Sequence, residues 1–155
     1  MSPLFLNGKM ETNSVVCLEY VKQHATHNDP ASVVSATDAF AANNTIMNVG
    51  KTKARIIDAE IRQMKPRVMA GVGAYTGYST VHFAATQRTA ATAAGVDSHY
   101  YSFEYSPEFE AVYARWLAAG LDDQVTVIED AFPDQLKVLE DKTVDIDFID
   151  HDDSL

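Results

Sequence analysis

Three glycines, Gly71, Gly73 and Gly77, follow a short apolar run and precede a stretch with helical character. Glycine lets the backbone turn sharply at the end of a strand and leaves bare main chain against which a ligand can lie. A helix that begins there directs unpaired N–H groups and a positive dipole end at the same point. The stretch therefore predicts a site for a nucleotide-like cofactor, although a tightly packed turn without a ligand would use the same glycines.

The spacing of these glycines is G-x-G-x-x-x-G, so the third glycine comes one place later than in the dinucleotide-binding fingerprint. In that fingerprint the last small residue packs the helix on the strand while the helix end holds a pyrophosphate. The later glycine favours a cofactor without a pyrophosphate and disfavours an NAD-dependent oxidoreductase.

Acidic residues are the second group of candidate site residues, and they could bind a ribose or a metal ion. Glu104 ends an aromatic-rich run, and a carboxylate at such a strand tip can accept two hydrogen bonds from a ribose diol. Asp150, His151, Asp152 and Asp153 follow the last apolar run. Carboxylate oxygens suit Mg²⁺, which is bound through one or two of them and keeps its other positions open. An exposed strand-end glutamate and a solvated acidic segment are the alternatives.

A sheet is needed to bring these residues together. Short apolar runs predict four strands, at residues 68–72, 99–104, 124–128 and 144–150. Apolar residues at helical spacing predict helices around them, at residues 13–27, 30–43, about 52–64, 78–88, 106–120 and 132–140. This alternation predicts one α/β domain over residues 1–155, a Rossmann-like parallel sheet of about four strands with helices on both faces and further helices at the N-terminus. The glycines, Glu104, Asp130 and Asp150 then share the carboxyl edge of the sheet, where ligands bind.

Local signals set the helix boundaries. Asp29 and Pro30 form a cap and a first helical position, and Lys65-Pro66 ends the third helix. Residues 89–95, which are low in complexity, are either a helix tail or a mobile connection. In the third helix the residues predicted to face inward are Ile56, Ile57, Ala59 and Ile61.

Composition excludes several classes of protein. The chain has 155 residues and a formal net charge of −10, which argues against binding to nucleic acid or to an anionic membrane surface. Cys17 is the single cysteine, so neither an intrachain disulfide nor a multi-cysteine metal site can form, and a small buried apolar residue is favoured over a catalytic thiol. The sequence contains neither a signal peptide pattern nor an apolar run of transmembrane length, which predicts a cytoplasmic location.

Four motifs together resemble the catechol O-methyltransferase family: Met47-Asn48-Val49-Gly50, Gly73-Ala74-Tyr75-Thr76-Gly77-Tyr78-Ser79, Glu104 and Ile149-Asp150-His151. The resemblance runs from about Asp29 to the C-terminus. It implies a protein that uses S-adenosylmethionine and Mg²⁺ to methylate one hydroxyl of a catechol.

The resemblance also assigns site residues. The residues that would line the methionine and sulfonium end of the cofactor are Met47, Val49, Tyr75 and Ser79. Gly71 and Gly73, in the glycine-rich segment, would also bind the cofactor. Glu104 would hold the ribose and Tyr105 would lie beside the adenine. His151 would face the cofactor, and Asp150 would be a metal ligand.

Several positions depart from the family pattern. Gly71 stands where the family has a glutamate, and Phe132-Pro133 replaces polar residues near the adenine. Asp152 replaces an aromatic wall of the catechol pocket, and Asp153 stands at the position of the lysine base, which leaves the catalytic residue unknown. The family's other metal ligands, an Asp-Asn pair, would lie beyond Leu155.

These departures lead to the expectation of a truncated chain with an incomplete Mg²⁺ site, weak cofactor binding and little turnover. The uncovered edge of the fourth strand is expected to favour self-association. Two alternatives remain open. One is an O-methyltransferase of another vicinal diphenol, such as a caffeoyl thioester, and the other is a non-catalytic cofactor-binding or interaction module.

Overall fold

A computed structural model of the chain describes residues 16–44, 50–72, 78–104, 120–129 and 136–149. Its sheet has four parallel strands in the order β3-β2-β1-β4. The strands are β1 (Val68–Val72), β2 (His99–Glu104), β3 (Val125–Glu129) and β4 (Ile146–Ile149). The predicted Rossmann-like parallel α/β fold is confirmed, and β1 lies inside the sheet with partners on both sides.

The helices are α1 (16–24), α2 (Pro30–Ala41), α3 (Gly50–Met64) and α4 (Tyr78–Ala94), and a short 3-10 helix covers Leu136–Leu139. Asp29 caps α2 as predicted, because its side chain accepts a hydrogen bond from the Ser32 backbone N–H at 3.2 Å. Residues 89–94 continue α4, so the helix-tail interpretation of that segment is correct. The described end of the predicted 132–140 helix is 3-10 rather than α-helical.

Helix α3 turns a different face inward from the one predicted. Ile57 is partly buried and Ile61 is fully buried, but Ile56 is 63% exposed and Ala59 is exposed as well. The buried stripe consists of Ala54, Ile57, Asp58 and Ile61. The prediction is confirmed for Ile57 and Ile61 and wrong for Ile56 and Ala59, because it followed apolar character, whereas the helical repeat places a carboxylate, Asp58, on the inner face.

Both faces of the sheet are covered around β1. Met69 and Ala70 point to opposite faces, and both are at most 1% exposed. On the Met69 face, α4 packs against the sheet, where the rings of Phe83 and Phe148 meet edge to face at 5.1 Å. Helices α2 and α3 pack on α4 in turn.

Cys17 lies in the core formed beneath these helices. Its side chain is fully buried, and burial raises the pKa of the thiol to about 12. The thiol is therefore neutral at physiological pH and behaves as a small apolar side chain, as the sequence predicted.

Buried amides close the amino end of the sheet. The Gln87 amide of α4 donates to the His99 carbonyl at 2.9 Å, and its oxygen accepts from the Gln124 amide at 3.0 Å. Gln124 also donates to the Ser98 hydroxyl at 2.8 Å. Both glutamines are at most 5% exposed, so this network satisfies polar groups that water does not reach. It joins α4 to the start of β2 and to the turn before β3.

No helix within the described residues is long and apolar enough to cross a membrane.

We expect Gln87→Ala to lower the free energy of unfolding by about 2–4 kcal/mol, because it leaves a cavity and a buried amide short of a partner. Urea denaturation measures the change. The matched control is Gln63→Ala on the exposed side of α3, which should stay within about 0.5 kcal/mol of the parent. Equal losses in the two variants would show that the buried network does not stabilise the fold.

Candidate functional site

The strand register places the ends of β1 and β2 side by side. Val72, the last residue of β1, pairs with Phe103, and the main chain of Glu104 follows one residue further along the neighbouring strand. Glu104 pairs with Glu129, which ends β3. The tip of β2 therefore lies beside the point where the chain leaves β1 for the predicted glycine bend, as the ribose-binding interpretation of Glu104 requires.

The first turn of α4 closes the same end of the sheet. Ser79, a predicted cofactor-binding residue, is 8% exposed, and the adjacent Thr80 is 2% exposed. The hydroxyl of Thr80 lies 3.1 Å from that of Ser102 in β2, within hydrogen-bonding distance. This contact fixes the start of α4 against β2, so unpaired N–H groups at the helix start face the carboxyl edge of the sheet.

Gly71 has a structural role that the sequence did not reveal. It is buried inside β1, between Ser102 and Phe148 on the two neighbouring strands. A Cβ atom at Gly71 would overlap the Tyr100 hydroxyl and lie 3.0 Å from Cζ of that ring. Glycine is needed here because the Tyr100 side chain fills the space where a side chain of residue 71 would begin.

A hydrogen-bonded cluster around the buried Asp58 carboxylate joins α3 to α4. Nε2 of His82 in α4 lies 2.5 Å from Oδ2 of Asp58 in α3, and the Thr86 hydroxyl donates to Oδ1 of Asp58 at 2.9 Å. The Asp58 residue is 7% exposed. In the sequence, α3 begins directly after the predicted residues Met47 and Val49, and α4 begins directly after the glycine-containing segment 73–77.

Sequence reasoning missed this cluster, although one signal was present. Asp58 falls on the buried stripe of α3, four residues after Ala54 and three before Ile61. A carboxylate on an inner helix face requires a buried donor as a partner. That requirement pointed to a donor on a neighbouring helix, but the sequence did not say which one.

Many of the predicted site residues lie outside the described residues. This applies to the cofactor-binding predictions Met47, Val49, Gly73, Tyr75, Tyr105 and His151, to the predicted metal ligand Asp150, and to Asp130, Phe132, Pro133, Asp152 and Asp153. Of the predicted cofactor-binding set, the structure thus describes Gly71, Ser79 and the main chain of Glu104, and it brings all three to the carboxyl half of β1 and β2.

The described residues contain no group of three His, Cys, Asp or Glu side chains that could hold a metal ion. The predicted metal ligand Asp150 follows the last described residue, Ile149, at the end of β4.

A family model for a methyltransferase domain matches residues 71–154, from the middle of β1 onward. The chain belongs to the methyltransferase domain family. The match begins at Gly71 and includes the glycine bend, α4 and the three later strands, so it covers the edge of the sheet described above.

Curated relatives point to the O-methyltransferases within that family. The chain is 35% identical to a catechol O-methyltransferase from Bos taurus over 140 residues, which cover 86% of this chain and 49% of the relative. It is 34% identical to catechol O-methyltransferase B from Danio rerio over 140 residues, covering 86% of this chain and 50% of the relative. The chain thus spans about half the length of the curated relatives it matches, and the resemblance to the catechol O-methyltransferase family is confirmed.

Solved structures agree on the fold. An O-methyltransferase from Bacillus cereus in complex with SAH superposes with a TM-score of 0.58 at 24% identity, covering 88% of this chain and 55% of that one. At that identity the similarity establishes the Rossmann-like methyltransferase fold.

We expect Gly71→Ala to destabilise the fold by about 1–3 kcal/mol, because the added methyl group overlaps the Tyr100 hydroxyl. The cost should fall sharply in a Tyr100→Leu background, where the shorter side chain leaves room at residue 71. Urea denaturation of the parent, the two single variants and the double variant gives the coupling energy. A cost of Gly71→Ala that is the same in both backgrounds would contradict the contact.

Proposed function

We propose that the protein transfers a methyl group from S-adenosylmethionine to one hydroxyl of a catechol, and that this chain carries its cofactor-binding region. The observation that supports this proposal most strongly is the position of Glu104, at the β2 tip beside the end of β1. Membership in the methyltransferase family and 35% identity to a catechol O-methyltransferase indicate which cofactor that arrangement would bind.

Different residues of the site would contact different parts of the cofactor. The Glu104 carboxylate would accept the two hydroxyls of the ribose, and Tyr105 would lie along the adenine. Met47, Val49, Tyr75 and Ser79 would line the methionine and sulfonium end, and Gly73 and His151 would also contact the cofactor. The start of α4 suits the carboxylate of the cofactor, because a helix N-terminus stabilises negative charge. The bound cofactor would supply the electrophilic methyl group.

The metal-binding and catalytic residues on the acceptor side of the site are proposed to be less suited to methyl transfer in this chain. Asp150 would be a Mg²⁺ ligand, and a bound Mg²⁺ would lower the pKa of a catechol hydroxyl. Asp153 stands at the position where the resemblance implies a lysine base, and a carboxylate is poorly matched to a phenol proton. We therefore propose that this chain binds the cofactor weakly and turns over little catechol on its own. A different vicinal diphenol is the alternative acceptor.

Removing the Glu104 charge tests the cofactor site. We expect Glu104→Gln to weaken S-adenosylhomocysteine binding by about 10- to 100-fold, since a charged hydrogen bond to the ribose contributes roughly 1.5–3 kcal/mol. Isothermal titration calorimetry measures the affinity. The matched control is Glu140→Gln, an exposed glutamate after the 3-10 helix, which should change the affinity less than about twofold.

The outcomes separate the alternatives. No binding of S-adenosylhomocysteine by the parent chain would favour a non-catalytic interaction module, and preferential binding of NAD would favour an oxidoreductase. Robust Mg²⁺-dependent transfer of a labelled methyl group to a catechol by the 155-residue chain would contradict the proposed low turnover. Transfer to a caffeoyl thioester in preference to a catechol would favour the alternative acceptor.

We also propose that the edge of β4 supports self-association. Among the described residues β4 pairs only with β1, and Ile149 at its end is 63% exposed. An open parallel edge with an exposed apolar side chain can pair with a second chain.

We expect Ile149→Lys to shift sedimentation velocity profiles of the concentrated protein toward the monomer, because a charge on an edge strand opposes pairing. Ile56→Lys on α3 is the matched control, since Ile56 is also 63% exposed but lies away from the sheet edge. If both variants sediment like the parent, the β4 edge does not mediate association.

A further inference from the structure

The Tyr100 hydroxyl is the one polar side-chain atom that the described part of the chain buries without giving it a hydrogen-bond partner. The residue is 0% exposed, so bulk water does not reach the hydroxyl. The nearby Thr80 hydroxyl lowers the pKa of the phenol as a hydrogen-bonding neighbour would, but the contact does not have the distance and angles of a hydrogen bond. A buried polar group left in this condition costs free energy, and a functional contact is one of the explanations for retaining such a group.

The position of the hydroxyl relates it to the candidate site. Tyr100 pairs with Met69, yet its hydroxyl reaches the space beside Gly71, two residues closer to the carboxyl end of β1. The ring therefore leans along the sheet toward the predicted bend, with roughly 3.3 Å of rise per residue between these levels. At Gly71 no side chain stands between the hydroxyl and the main chain that leads to the bend.

The neighbouring hydroxyls are already engaged with each other. Thr80 in the first turn of α4 and Ser102 in β2 lie 3.1 Å apart, and both are at most 2% exposed. Burial also keeps the Tyr100 phenol neutral, because it raises the pKa of this group far above the ordinary value. The Tyr100 hydroxyl is thus a neutral hydrogen-bond donor at the level of Gly71 and Ser102, two residues before the main chain of Glu104 on β2.

We propose that the Tyr100 hydroxyl is a polar contact of the cofactor site, donating a hydrogen bond to the bound cofactor directly or through one water. This inference rests on the proposed S-adenosylmethionine site. It assigns Tyr100 a role in affinity rather than in folding, because within the described part of the chain the hydroxyl contributes no hydrogen bond to the fold.

The test is Tyr100→Phe, which removes only the oxygen atom. We expect S-adenosylhomocysteine affinity, measured by calorimetry, to fall about 10-fold, while the melting temperature without ligand stays the same or rises. The rise is expected because removing an unsatisfied buried hydroxyl is neutral or stabilising. If the hydroxyl had only a structural role, its removal would not lower the affinity while leaving the melting temperature unchanged or higher.

Tyr101→Phe is the matched control. Tyr101 is the next residue of β2 and points to the opposite face, where its ring meets that of His99 at 4.8 Å. This variant should bind S-adenosylhomocysteine as the parent does. Unchanged affinity in Tyr100→Phe, or an affinity loss that accompanies a lower melting temperature, would overturn the inference while leaving the proposed function standing. A parent chain that binds no S-adenosylhomocysteine would overturn both.

Discussion

The two-sided pairing of β1 is the constraint on which the rest of the described structure depends. β1 forms parallel ladders with β2 and with β4, and its residues Met69, Ala70 and Gly71 are all buried. A one-residue shift in its register would break two ladders and turn every side chain to the opposite face. The end of β1 is therefore held in a defined place relative to the tip of β2.

Helix α4 is held against the sheet at both ends. At the amino end, Gln87 hydrogen-bonds to the start of β2, and at the carboxyl end Thr80 meets Ser102. Between them the apolar contact of Phe83 with Phe148 anchors the helix on the sheet. Polar groups at both ends of a buried apolar contact fix the helix along its axis as well as on the sheet face, because directional hydrogen bonds specify position where apolar packing alone does not.

The Asp58–His82–Thr86 cluster extends this positional control to α3. Burying a carboxylate is costly unless its oxygens are satisfied, and here both Asp58 oxygens have partners on α4. The cost makes other orientations of α3 unfavourable, since each of them would leave the charge without a partner. In this way one buried acid ties together the two helices that begin beside the predicted cofactor segments.

The Rossmann-like fold hosts many activities, so the fold alone does not specify methyl transfer. The residues at the carboxyl edge of the sheet must specify it. Within the described residues that edge offers a helix start and the tip of β2, and we propose that the Tyr100 phenol donates to the same site. All three suit the binding of a polar cofactor. The acceptor and metal residues, in contrast, fall outside the described residues, which is why the proposed chemistry is most specific on the cofactor side.

The sequence by itself determined the strands and several of their boundaries, because these depend on local signals. Apolar runs located all four strands to within about two residues, and Asp29-Pro30 marked the start of α2. The position of Glu104 at a strand tip also followed from the sequence. Periodicity was less reliable for α3, where choosing the most apolar residues placed the exposed Ile56 inside.

Only the tertiary structure decided which side chains meet across the sheet and between helices. The partners Asp58 and His82, Gln87 and Gln124, and Gly71 and Tyr100 are separated by 24, 37 and 29 residues. No local propensity encodes such pairs, because each depends on strand register and helix packing at once. From the sequence, Gly71 was expected to leave its main chain open to a ligand. The fold shows instead that the Tyr100 hydroxyl fills the space beside Gly71.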